Sequence, residues 1–511
     1  MRKEVIKAIF VVFIASFCTM VIELVAGRIM APYVGVSLYT WTSIIGVVLA
    51  GISIGAYVGG ILADRFPTPK TLGWLLFISG LAALCISPLT EAVARFPLQT
   101  SLMMRILFVT TVIFFLPACL LGMISPVVVR LSLDRLERSG NVVGKIYAFS
   151  TLGSILGTFA TGFFLVSWMG TRNILLLMAL ILIVSAPLFG GAFFKKRVLM
   201  VLFPVLFVFL WAIHGQAFKK PIDENTYLFE ETDYFTVQLK KMEKEGGTLE
   251  AVVLDNLIHS YVDLADPLHL QYGYEKIKAD LVAWQAASKP EFRALIIGGG
   301  GYTFPHYLEI KYPKARIDVI EIDPRLTQIA HRHLGLPEKT RIRTFNDDAR
   351  WVLMNFPEKG VYDFIFGDAY NDLSIPYHLT TKEFADMLRG LLRPDGILVA
   401  NIIDHFETGI FLPSYIRTLA ESFGKDRGAL VADAEFERLG INTNIVAVSL
   451  ASHPWKDVEK TSEGRCFVMD PAGVSHTFAN RWSVVITDDY APVDNLIAPI
   501  FEARFGKKKT G

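Results

Sequence analysis

The sequence predicts an N-terminal α-helical transmembrane bundle of about seven spans, joined to a C-terminal doubly wound α/β domain that is preceded by a small antiparallel β-sheet. Three observations carry this. Apolar segments of membrane-spanning length crowd the first 215 residues and then stop. The apolar run 294–297 enters four consecutive glycines, Gly298, Gly299, Gly300 and Gly301. About twenty residues on, a second apolar run ends in Glu321 and Asp323. Glycines let backbone approach a ligand, and a carboxylate after the next strand accepts from ribose hydroxyls, so the pair predicts a nucleoside-binding fold.

The membrane half rests on composition. At 511 residues and 52% hydrophobic content, with mean hydropathy +0.42, the chain is too apolar for an ordinary soluble enzyme. Windows of about 19 residues give seven apolar segments: 8–30, 40–63, 72–94, 105–129, 145–168, 173–194 and the shorter 198–214. The first is too long, and runs too directly into further spans, for a cleaved signal peptide. The reading is therefore a membrane domain over 1–215 and a soluble domain over 225–505, the latter split into a β-subdomain (225–268) and a nucleoside-binding fold (290–505).

Basic residues set the orientation. Arg2, Lys3 and Lys7 precede the first span, and Arg130, Arg135, Arg138 and Lys145 fill the fourth loop, whereas the first and fifth loops hold little beyond Arg28 and Arg172. The N-terminus is thus expected in the cytoplasm. A multi-pass cell-membrane protein whose soluble domain is cytoplasmic then needs an even number of crossings, which a count of seven opposes. Gly51, Gly55 and Gly59, and likewise Gly153 and Gly157, recur every fourth residue and predict close helix packing. Glu23 is the carboxylate deepest in a span, five residues before Arg28. The end of the second span, Gly59 to Arg65, resembles a loop of major-facilitator transporters.

The soluble half is read in order. Alternating stretches at 234–239, 249–255 and 260–264, with a turn at Gly246 and Gly247, predict the small antiparallel sheet. Strands near 294–298, 317–322, 342–346, 362–367 and 396–403 then alternate with helices near 304–311, 325–333, 349–355 and 381–393. That rhythm predicts a parallel sheet whose ligands bind at the carboxyl ends of its strands. Those ends hold the glycines, Glu321 with Asp323, Asp347 with Asp348 and Ala349, and Asp368 with Tyr370. Asp347 also reads as an N-cap of the helix that follows it.

An adenosine ligand would use Glu321 for both ribose hydroxyls and Asp348 for the adenine amino group, leaving Asp368 where the reacting part emerges. So many carboxylates predict a cationic ligand, a sulfonium with an amine acceptor. The spacing Gly-x-Gly-x-x-Gly of nicotinamide enzymes is absent, since Tyr302, Thr303 and Phe304 follow the glycines. Cys18, Cys85 and Cys119 lie in spans and Cys466 is isolated, so no disulfide framework or metal-ligand spacing is expected. A net charge of +1 argues against a nucleic-acid partner.

These residues resemble the spermidine synthase family, the polyamine aminopropyltransferases, in the branch fused to a multi-span domain. The resemblance covers 227–500. It is carried by Glu231-Thr232-Asp233-Tyr234, Leu254-Asp255-Asn256, the glycine run, Ile320-Glu321-Ile322-Asp323, Asp347-Asp348-Ala349, Asp368-Ala369-Tyr370, Ile375-Pro376-Tyr377-His378-Leu379 and Thr487-Asp488-Asp489-Tyr490.

The resemblance implies a Rossmann-like, methyltransferase-type domain. It also implies transfer of an aminopropyl group from decarboxylated S-adenosylmethionine to putrescine or a related amine, without a metal, releasing methylthioadenosine. Asp368 would be the catalytic base. Gly298, Gly299, Gly300, Gly301, Glu321, Asp323, Asp347, Asp348, Ala349 and His259 would bind the co-substrate. Tyr234, Tyr272, Tyr274, Tyr370 and Asp372 would bind the amine, and His259 also reads as a wall residue for it. Soluble relatives form dimers, so a homodimer is implied.

Two positions depart from the family pattern. Gly301 stands where the family carries an acid, and Asn371, followed by Asp372, where it carries a second. A bare loop at Gly301 would accept the carboxylate of S-adenosylmethionine itself, which leaves methyl transfer as an alternative. A polyamine transporter or sensor whose nucleotide fold only binds ligand is another.

Overall fold

The computed structural model describes residues 3–34, 37–94, 102–133, 139–190, 224–244, 247–255, 257–370, 375–433 and 441–505. The predicted seventh span (198–214), the boundary peptide 215–221, and Asn371 and Asp372 lie outside the described residues. The chain divides into a first unit within Met1–Ile222 and a second, Asp223–Phe505.

Among its described residues the first unit contains six helical stretches long and apolar enough to cross a membrane: Ile6–Ala31, Leu38–Arg65, Pro69–Val93, Met103–Ser132, Ser139–Leu165 and Thr171–Phe189. They answer to the first six predicted segments. Small residues decide how they pair. Helix Leu38–Arg65 lies along Leu102–Gly122, where a Cβ on Gly55 would come 2.1 Å from the Cys119 carbonyl oxygen and one on Gly59 2.6 Å from Met123 Cα. Helix Lys3–Val34 pairs with Ser139–Ala160 through Gly153 and Gly157, whose added Cβ atoms would meet Phe13 O at 2.3 Å and Phe17 O at 2.7 Å. Backbones meet because no side chain intervenes.

The second unit begins with four antiparallel strands in sequential order, β1 (Thr226–Glu231), β2 (Thr236–Lys244), β3 (Gly247–Leu254) and β4 (Leu257–Val262). The large sheet follows: β5 (Arg293–Ile297), β6 (Arg316–Ile320), β7 (Arg343–Phe345), β8 (Tyr362–Gly367) and β9 (Leu392–His405), then β10 (Gly428–Asp433), β11 (Ile441–Ser449) and β12 (Cys466–Met469). Its order is β12-β10-β11-β9-β8-β5-β6-β7. The predicted strands form the parallel part, β9 through β7. The antiparallel extension β11-β10-β12 and the helix Gly273–Ala286 are additional to the sequence reading. β5 has β6 on one side and β8 on the other, so strand order reverses there and a cleft opens at the carboxyl ends of both.

One apolar core joins the two sheets. Val237, Leu239 and Val252 from the small sheet cluster with Ala294, Ile296, Phe364, Phe366 and Val399 from the large one, all 2% exposed or less. The small sheet is thereby fixed over the cleft.

The glycine contacts give a direct test. Gly55→Ala should lower the thermal unfolding temperature of the detergent-purified chain, at a cost of about 1–3 kcal/mol from overpacking. Gly60→Ala, whose new Cβ would meet nothing within 4 Å, should leave it unchanged or raise it. Equal behaviour of the two variants would refute the packing.

Candidate active site

Where β5 and β8 lie side by side, their continuations touch. Asp368 N donates to Ile297 O and Gly298 N to Ile320 O, each at 2.9 Å, so pairing runs past the strand ends. Gly298 has φ of +97°, and a Cβ there would sit 2.5 Å from Asp368 O. Conformation and space both demand glycine.

The loop is held by Glu321, which is 5% exposed. Its Oε2 accepts from Gly299 N (2.7 Å) and Gly300 N (3.2 Å), and its Oε1 from Asp323 N (3.0 Å). Burial pushes this carboxyl above its ordinary range although the amides pull it down. Three of roughly four acceptor sites are filled by backbone, which leaves about one for a ligand hydroxyl.

Two cavities flank the Gly298–Asp368 contact. The first, about 150 Å³, is walled by Tyr234, Leu254, Glu321, Asp347, Asp348, Ala349 and Leu379. The second, about 230 Å³, is walled by Tyr272, Tyr274, Glu275, Lys278, Asn401 and Thr443. Both include His259, Gly298, Gly300, Asp368 and Tyr370.

Asp348, not Asp347, is the N-cap of helix Ala349–Met354. Its Oδ1 accepts from Trp351 N at 3.0 Å and its Oδ2 lies 2.8 Å from His378 Nε2. Burial raises the Asp348 carboxyl, but the Trp351 amide and His378 outweigh it and hold the group below the usual carboxylate range. Asp347, expected as that cap, instead accepts from Asp348 N at 2.8 Å and stays on the first cavity's wall. Arg350 forks onto Asp488 at 2.6 and 2.5 Å, so the C-terminal motif braces this wall.

Asp368 faces both cavities. Its Oδ1 accepts from Asn401 Nδ2 at 2.9 Å, and its Oδ2 from Lys278 Nζ at 2.5 Å. Tyr272, Tyr274 and Tyr370 turn their hydroxyls to backbone, donating to Ile258 O (2.6 Å), His259 O (3.3 Å) and Asn401 O (2.6 Å). Their rings wall the second cavity.

Two residues predicted for the co-substrate line neither cavity. Asp323 caps helix Pro324–His333, accepting from Arg325 N at 2.9 Å. Gly301 donates its amide to Ser260 Oγ at 2.9 Å, and a Cβ on it would strike Ser260 Cβ at 2.8 Å.

The sequence reading missed Lys278, Glu275 and Asn401. A signal was available, because Tyr274, Ile277, Lys278, Leu281 and Val282 follow one helix stripe, and a lysine inside an apolar stripe needs an acidic partner. Among the described residues no group of three His, Cys, Asp or Glu is placed to hold a metal.

Glu275, 3% exposed, is pushed up to about 8 by burial, with Lys278 pulling down and Asp368 pushing up. Its carboxyl is therefore mostly protonated at neutral pH. A folded-state value above the unfolded one means stability that is full below pH about 4.5 and lost as pH rises through about 8. Between pH 5 and 8.5 the full chain should lose thermal stability relative to Glu275→Gln, by roughly 2–4 kcal/mol. Parallel pH curves for the two proteins would refute the protonated state.

No family model matches the chain. It is similar over 137 residues to the polyamine aminopropyltransferase of Vibrio vulnificus, at 39% identity, covering 27% of this chain and 46% of that protein. The chain thus spans about half the length of that curated relative. Similarity to polyamine aminopropyltransferase 2 of Aquifex aeolicus is fainter, 24%, but runs over 426 residues, 80% of this chain and 82% of that one. A stretch of 119 residues is 24% identical to the human eEF1A lysine and N-terminal methyltransferase, covering 21% and 17% of the two chains. Strong identity over a short stretch and fainter likeness over nearly the full length thus both fall on proteins named polyamine aminopropyltransferase.

Proposed function

We propose that the chain transfers an aminopropyl group from decarboxylated S-adenosylmethionine to an amine of the putrescine class, releasing methylthioadenosine. The observation that carries this is the position of Asp368 on the wall shared by two cavities. One is lined by acids suited to a nucleoside, the other by aromatic rings suited to an alkyl amine.

The geometry supports the following roles. Glu321 offers its remaining acceptor site to ribose. Asp348, kept ionised by its amide and His378 partners, accepts from the adenine amino group, with Asp347 and Ala349 beside it. Each Asp368 oxygen retains an acceptor site beyond Asn401 and Lys278. Asp368 therefore steers the attacking ammonium and takes its proton. As the amine nitrogen bonds to carbon, the carbon–sulfur bond breaks and its electron pair leaves with sulfur. Tyr234 closes the first cavity, and Tyr272, Tyr274 and Tyr370 confine the alkyl chain.

We also place the chain in the cell membrane as a multi-pass protein with its enzyme unit on the cytoplasmic side. Six described helices of spanning character and a basic N-terminal segment support that placement. Methyl transfer is the second reading, favoured by the short likeness to a methyltransferase and by the missing acid at Gly301.

Products separate the readings. With putrescine and decarboxylated S-adenosylmethionine, the detergent-purified chain should release methylthioadenosine. S-adenosylhomocysteine formed from S-adenosylmethionine would instead mark a methyltransferase. Asp368→Asn should cut turnover by about 10²–10⁴-fold while calorimetry finds co-substrate affinity within a few-fold of wild type. Near-normal turnover in that variant would remove Asp368 as the base.

A further inference from the structure

The second cavity contains a cation of its own. Lys278 is 1% exposed, its Nζ 2.5 Å from Asp368 Oδ2, 4.7 Å from the Tyr274 ring centroid and 5.6 Å from that of Phe304. An ammonium has three donors and no acceptor. Among the described residues Asp368 is the one acceptor hydrogen-bonded to it, so two N–H groups remain. In the same cavity Glu275 Oε2 and Asn401 Oδ1 are buried without a hydrogen-bond partner among the described residues. The open hydrogen-bonding capacity is thus donors on a cation, an acceptor on an amide, and a neutral carboxyl oxygen that accepts or, where it bears the proton, donates.

A diamine matches this set poorly. Its ammonium groups satisfy the acceptors but meet a resident cation in the aromatic recess where alkylammonium would otherwise bind. A ligand carrying both an ammonium and a carboxylate satisfies both kinds. The loop offers no substitute, because the Gly301 amide is spent on Ser260 Oγ.

We propose that Lys278 binds a substrate carboxylate, so that the second cavity receives an amino-carboxylate group rather than a purely cationic one. This rests on the reading of the site as a transferase and replaces one of its two proposed substrates by a carboxylate-bearing counterpart. The carboxylate arrives either on the co-substrate, as intact S-adenosylmethionine, or on an amino-acid acceptor.

Two ligand pairs differing by one carboxylate distinguish these sources: S-adenosylmethionine against its decarboxylated form, and ornithine against putrescine. Calorimetric affinities for all four are measured on the full chain in detergent, for wild type, Lys278→Met and Lys278→Arg, with unfolding temperatures to verify folding. In at least one pair the carboxylate-bearing member should bind wild type ten-fold or more tightly than its counterpart. Lys278→Met should erase that ratio and Lys278→Arg largely keep it.

Tighter binding of the carboxylate-free member in both pairs would overturn the proposal, as would a ratio unchanged in folded Lys278→Met. If Lys278→Met does not fold, the wild-type ratios decide. Absence of any transferred product from every combination would refute the transferase reading instead, while the affinity ratios still judge Lys278.

Discussion

A single buried carboxylate sets the geometry of the catalytic unit. Glu321 gathers three backbone amides from two neighbouring strand ends, each of which would cost about 1–3 kcal/mol if buried unpaired. With the loop drawn onto Glu321, Gly298 lies against the Asp368 backbone. That contact separates the space beyond the strands into two cavities. Glu321 thus works first as a strut, and about one of its acceptor sites is left for any ligand.

The legible parts of the sequence were those where burial dominates. Spanning helices announce themselves by length and apolarity, and parallel strands by short apolar runs in alternation with helices. Topology then collects the acids at one edge. The helix Gly273–Ala286 stayed hidden because Glu275, Lys278 and Asp280 interrupt its apolar face while being buried themselves. Each is there for an electrostatic reason: Lys278 bonds Asp368, Asp280 bonds Arg465 at 2.7 Å, and Glu275 is protonated. The antiparallel strands β10 to β12 extend the sheet beyond β9, outside the alternation of strand and helix that reveals the parallel part. The choice of Asp348 over Asp347 as helix cap turned on one residue of backbone geometry, finer than a residue pattern resolves.

The two cavities differ in electrostatic character. Glu321, Asp347 and Asp348 make the first acidic, in keeping with a sulfonium nucleoside. In the second, Lys278 offsets Asp368 and Glu275 is largely uncharged near neutral pH, so little net charge remains. The likeness to aminopropyltransferases is thus matched by the charge of the first cavity more closely than by that of the second. Of the two positions that depart from the family pattern, Gly301 falls on the co-substrate side and Asn371 on the acceptor side.

The common wall of the cavities has a kinetic consequence. Asp368, Gly298, Gly300, His259 and Tyr370 front both spaces at once, and the proposed reaction passes the group directly across that wall rather than through a side chain such as His259. Donor and acceptor must then be resident together, meeting across the carboxylate. Double-reciprocal plots against either substrate would intersect, the pattern of a ternary complex, where a relay through the protein would give parallel lines.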